Sequence, residues 1–221
     1  MKLFSALFLL LVTVGVVAAQ NEQSPLVEKD IDYKDWKYKS VVTGQESDLR
    51  DLIRGKKLAI VIYYAPWCGN WRHDAPQLQA LYDKYKAAGL EFIAVGEYDP
   101  VDSMKNNLDF MKITFPVFYE SIDRSEKEKT THYSYRKSTG DNRNWGSPYY
   151  VFIEPASVET KGDILLKHTH VINGEMMMDE GEKFIRQKLG LPPVEGKAAV
   201  AGKEKVEVCD PAAPPAKVIK P

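Results

Sequence analysis

The stretch Tyr64-Ala65-Pro66-Trp67-Cys68-Gly69-Asn70-Trp71 decides how this chain reads. Before it runs Leu58-Ala59-Ile60-Val61-Ile62, apolar without a break, as in a strand buried on both faces. After it Leu78, Leu81, Tyr82 and Tyr85 recur at core spacing. That spacing predicts a helix from about 70 to 87, kinked by Pro76. Strand, tight turn and helix together put Cys68 at the helix's amino end. There the unsatisfied N–H groups and the positive end of the helix dipole favour a thiolate. They should pull the thiol below its free pKa of about 8.5. Arg72 and His73 lie close enough in sequence to assist.

The rest of the chain narrows the compartment and the partners. At 221 residues and 44% hydrophobic, it can bury one good core with a small appendage. Thirty basic residues against 31 acidic ones argue against nucleic acid or an anionic membrane surface as main partner. Two cysteines provide no disulfide framework. Lys2, the apolar run Leu3 to Val16 and the small residues Val17-Ala18-Ala19 read as an export signal over 1–19. The alternative is an uncleaved anchor, since the run is near the lower length limit for a spanning helix. Either way the folded part is expected outside the cytoplasm, periplasmic or secreted.

Residues 20–36 are polar and expected to be loose. Alternation suggests a strand over 37–42, and Leu49, Leu52 and Ile53 share a face of a short helix over 46–54. A second buried strand is expected over 90–95, a helix over 101–111 and strands over 149–154 and 164–172, closing on a helix over 176–189. Residues 121–145 are dense in charge and read as a solvated insertion. From 191 to 221 the chain is rich in Pro, Ala and Lys and reads as a disordered tail. Strands alternating with helices and then a closing hairpin imply an α/β fold, a central mixed β-sheet flanked by helices over 37–190.

Ala65-Pro66-Trp67-Cys68-Gly69, with Pro76 eight residues after the cysteine, resembles the thioredoxin superfamily. Ala75-Pro76-Gln77-Leu78-Gln79-Ala80-Leu81-Tyr82 and Gly89-Leu90-Glu91-Phe92-Ile93-Ala94-Val95 extend the likeness to its TlpA/ResA-like redoxin branch of exported thiol–disulfide oxidoreductases. Phe115-Pro116-Val117 and Gly146-Ser147-Pro148 fit that branch too. The resemblance implies a thioredoxin-like fold with the polar insertion placed before a cis-proline strand. It implies Cys68 as nucleophile and a cis-proline that faces the substrate beside it. Pro116 and Pro148 are the candidates; Pro148 is favoured because two strands and a final helix follow it. Trp67, Gly69, Asn70, Trp71, Ser147 and Pro148 are the expected substrate-facing residues. Trp71 occupies the place of the family's second cysteine, which would resolve the mixed disulfide.

One thiol can still form mixed disulfides, shuffle disulfides or react with peroxide. Peroxide chemistry is the weakest of these, because Ala65 stands where peroxiredoxins carry Thr or Ser. Cys209 is the other sulfur and a candidate remote resolving thiol, since loop closure penalises long separations only weakly. The competing reading is a non-catalytic binding module in which Trp67 and Trp71 form an apolar patch for a partner. His168 and His170 share a strand face, but no third ligand accompanies them, so no metal is assigned. Met176-Met177-Met178 is expected to pack in the core rather than bind a soft metal. No cofactor is expected. The partners expected are protein thiols or disulfides and an electron-donor protein, with no nucleic acid, and no membrane unless the N-terminal segment stays uncleaved.

Overall fold

A computed structural model describes residues 23–193. The segment 1–19, most of the tail and Cys209 lie outside the described residues. The expectations for them, export signal, disordered tail and resolving thiol, therefore rest on sequence.

Strand β5 (Leu58–Tyr64) is the centre of the molecule, with all seven residues buried. It pairs in parallel with β6 (Leu90–Gly96), which pairs in parallel with β7 (Val117–Tyr119). On its other side β8 (Tyr149–Ile153) runs antiparallel, followed by β9 (Ile164–Ile172) and then β2 (Val27–Lys34). Beyond β7 lie β3 (Lys37–Ser40) and β4 (Glu46–Asp48), giving the order β2-β9-β8-β5-β6-β7-β3-β4. A separate two-stranded pair joins β1 (Gln23–Ser24) to β10 (Glu175–Met176).

Because successive strand residues face opposite sides, β5 serves two cores. Leu58, Ile60, Ile62 and Tyr64 pack with α2 (Gly69–Tyr85), α3 (Val101–Met111) and α5 (Met178–Leu189). Ala59, Val61 and Tyr63 pack with β2, with α1 (Leu49–Leu52) and with Tyr135 of α4 (Thr131–Ser138). This is the thioredoxin-like arrangement of a mixed sheet flanked by helices.

Three expectations are corrected. Residues 20–36 are not loose throughout: β2 is an edge strand that buries Ile31 and Tyr33, while Glu28, Asp30, Asp32 and Lys34 face out. The helix expected over 46–54 starts only at Leu49, because Asp48 caps it by accepting a bond from the Arg50 N–H. The insertion 121–145 is not simply solvated. It forms a 3₁₀ turn over Arg124–Lys129 and helix α4, whose His132, Tyr135 and Arg136 are buried. Of the three adjacent methionines, Met176 is buried and Met177 is 43% exposed. Among the described residues no helix is long and apolar enough to cross a membrane.

If β2 belongs to the cooperative fold, truncating Ile31 must be felt throughout. Ile31→Ala should cost about 2–5 kcal/mol in urea unfolding followed by circular dichroism. A loss under about 0.5 kcal/mol would show that the strand docks without contributing.

Candidate active site

The turn after β5 ends on Cys68, the N-cap of α2, with extended φ −73° and ψ 127°. Its N–H donates to the Ala65 carbonyl (3.0 Å), and its carbonyl accepts the first helical bond, from the Arg72 N–H (3.2 Å). Opposite stands the one cis peptide bond among the described residues, Ser147–Pro148. Ser147 Oγ accepts from the Ala65 N–H at 2.9 Å, so the two loops are latched together. Cys68 Sγ lies 3.2 Å from the Ser147 carbonyl oxygen. This is a packing contact and not a thiol hydrogen bond, because Cys68 is disulfide-bonded and carries no proton.

The site is closed. Cys68 and Asn70 are fully buried, Ser147 is 1% exposed, Pro148 is buried and Gly69 is half-buried. Trp67, 9% exposed, meets the edge of Trp145 at 5.1 Å, and the Arg124 guanidinium lies 4.9 Å over the Trp67 ring. Trp71, expected to line a substrate surface, instead faces the core at 0% exposure. Its ring packs against Tyr64 at 4.2 Å, and its Nε1–H donates to Asn107 Oδ1 at 2.8 Å. Asn107 in turn donates to the Pro66 carbonyl. A large aromatic with one donor is satisfied there by apolar burial and a single acceptor. Trp71 thus ties α2 to α3 and to the turn that presents Cys68.

The residues that sequence reasoning missed come from the insertion. His132 sits fully buried between Tyr98 and Gly146, with Nδ1 2.8 Å from Tyr98 Oη and Nε2 3.1 Å from the Gly146 carbonyl. A carbonyl only accepts, so Nε2 carries the proton and Nδ1 accepts from the tyrosine. Burial, then the nearby Arg136 charge, holds His132 well below the usual histidine range. Arg136 donates to the Arg143 and Asn144 carbonyls, and Arg143 donates to the Pro148 carbonyl at 3.1 Å. Together they clamp the loop that carries the cis bond. The spacing His132, Tyr135, Arg136, Thr139 is a helical stripe, and it was the one cue that this segment folds inward.

A model of the AhpC/TSA family matches residues 30–160. The chain belongs to that family. It is 31% identical over 84 residues to a thiol-disulfide oxidoreductase ResA of Bacillus thuringiensis, an alignment covering 38% of this chain and 46% of that protein. It is 29% identical over 142 residues to a probable phospholipid hydroperoxide glutathione peroxidase of Mesembryanthemum crystallinum, covering 58% and 78% respectively. A thioredoxin-family thiol:disulfide interchange protein of Chlorobium tepidum superimposes with a TM-score of 0.52 at 18% identity, over 73% of this chain and all but 2% of that one (98% covered). A DsbF homologue of Corynebacterium diphtheriae gives 0.51 at 12% identity, over 72% of this chain and 92% of the other. The chain is a TlpA/ResA-like member of the thioredoxin superfamily.

Two tests follow from these contacts. Trp71→Ala should cost about 3–5 kcal/mol, whereas Asn107→Ala should cost roughly 1–2 kcal/mol, both by urea unfolding. Similar small losses for both would mean that the ring is not a structural keystone.

The second test concerns Glu97, fully buried at the end of β6 and accepting from Ser121 Oγ at 2.5 Å. Burial, then the Glu120 carboxylate, pushes its carboxyl well above the usual range. Its Oε1 is buried with no hydrogen-bond partner, which adds to the cost of ionising it. A raised folded-state pKa gives stability that is full below the unfolded value, about 4.3, and is lost as pH rises toward the folded value. Glu97→Gln, which keeps the neutral form, should therefore stabilise more at pH 7 than at pH 4. An unchanged urea midpoint difference across that range would refute a neutral Glu97.

Proposed function

We propose that the chain is an exported thiol–disulfide redox protein that works through Cys68 as nucleophile. One arrangement carries this reading: Cys68 caps α2 with its sulfur 3.2 Å from the Ser147 carbonyl, beside the cis Ser147–Pro148 bond. The helix start favours the thiolate, and the cis-proline loop offers backbone for an extended substrate strand to pair with. The fold class and the ResA relative support the same chemistry. Lys2, Leu3 to Val16 and the small residues up to Ala19 support export.

The missing second cysteine is replaced, in this reading, by Cys209. The sequence holds one other cysteine, and loop closure penalises a long separation along the chain only weakly. In the first step the Cys68 thiolate attacks a protein disulfide, the substrate S–S bond breaks, and one substrate sulfur leaves as thiolate. In the second the Cys209 thiolate attacks Cys68 Sγ, releasing the other substrate sulfur and closing Cys68–Cys209. The substrate gains two electrons and two protons, and this protein loses them. A reduced dithiol protein must then restore both thiols.

The rival, a non-catalytic binding module, needs Trp67 and Trp71 as an exposed patch. Trp71, at 0% exposure, belongs to no such patch; Cys68 is equally buried, so attack on a substrate requires this site to open. The peroxidase relative favours a second substrate class for the same sulfur. There the thiolate takes the terminal oxygen of a hydroperoxide, an alcohol or water leaves, and Cys209 condenses with the sulfenic acid to give the disulfide and water.

Reduced Cys209→Ser protein should accumulate a mixed disulfide with an unfolded disulfide-bonded substrate, seen by mass spectrometry. Cys68→Ser should trap nothing, and the wild type should release substrate thiols and become oxidised. Equal behaviour of wild type and Cys68→Ser would end the reading. Oxidation by hydroperoxide but not by disulfides would select the second substrate class.

A further inference from the structure

Further along α2 from Cys68, His73 and Asp74 meet Glu175 of β10. We propose that these three side chains bind a divalent transition-metal ion, with zinc the best match. The inference stands apart from the redox reading.

The spacing is that of a metal's first ligands. His73 Nδ1 lies 3.2 Å from Glu175 Oε2 and 3.6 Å from Asp74 Oδ1. One donor atom from each residue falls within 4.8 Å of the others. A tetrahedral ion about 2.0–2.1 Å from its ligands sets them roughly 3.3–3.4 Å apart. The two close gaps bracket that edge. One imidazole nitrogen and two carboxylate oxygens form a donor set that suits zinc, with a fourth position left for water.

The surroundings are built rather than incidental. The Asp74 and Glu175 side chains are 1% and 0% exposed, and two carboxylates so close in the interior call for positive charge between them. Asp74 Oδ2 accepts from the Met176 N–H (2.9 Å) and from Tyr150 Oη. Such outer bonds orient a ligating carboxylate. The other oxygen, Oδ1, is buried, receives no hydrogen bond and lies on the His73 side. His73, whose side chain is 37% exposed, gives an ion its way in from solvent. The competing arrangement is a protonated His73 bridging the two acids without a metal.

Tag-free, oxidised full-length protein, whose sulfurs are then unavailable as ligands, is titrated with Zn²⁺ by calorimetry. Co²⁺ is followed in parallel by its visible absorption. One ion per chain should bind, with tetrahedral Co²⁺ bands and a higher Tm, and Mg²⁺ should not compete. His73→Ala, a half-exposed position that leaves the core intact, should weaken Zn²⁺ at least about tenfold. Glu175→Gln should do the same. His168→Ala/His170→Ala should bind as wild type does. The site is refuted if binding is absent at micromolar Zn²⁺, if it survives His73→Ala, or if it follows His168 and His170. Absence of binding with His73 still protonated at pH 8 by NMR would assign the charge to the bridging proton.

Discussion

Everything about the site follows from the complete burial of β5. A strand covered on both faces and paired on both edges leaves its end nowhere to move. The turn at Ala65–Cys68 therefore emerges at a fixed place, and α2 must start there. Its orientation is secured by Ser147, whose hydroxyl accepts from Ala65, and by Trp71, which couples α2 to α3 through Asn107. Cys68 is thus held by contacts to three other parts of the chain before any chemistry is considered.

The insertion before β8 gives the second half of the site its rigidity. His132, Arg136 and Arg143 bind the carbonyls of Gly146, Arg143, Asn144 and Pro148, all in or next to the loop that carries the cis bond. Burying a guanidinium and an imidazole costs solvation, and this is recovered only because each finds well-placed acceptors. Trp71 fits this pattern as a buried packing residue against Tyr64.

Local pattern made much of this legible. The helix expected over 101–111 spans Val101–Met111 in the structure, and the strand expected over 164–172 spans Ile164–Ile172. Both are elements whose burial is set by their own periodicity. The edge strand β2 was missed although Val27, Ile31 and Tyr33 fall on alternating positions, because Glu28, Lys29, Asp30, Asp32 and Lys34 made the segment read as polar. Only pairing with β9 gives those few apolar residues a core to enter. The insertion was misread for the same reason: charge density says nothing of whether a buried acceptor awaits each charge.

By itself the amino-acid order established the buried strand, the turn with its cysteine, the following helix and the thioredoxin-like class, because each depends on residues near one another along the chain. The tertiary structure alone decided that Trp71 faces inward, that His132 reaches Gly146, and that His73 and Asp74 meet Glu175. Those are contacts between segments whose spacing in sequence carries no trace of their meeting. They exist because packed strands and helices bring distant side chains within bonding range, where a buried polar group must find its partner.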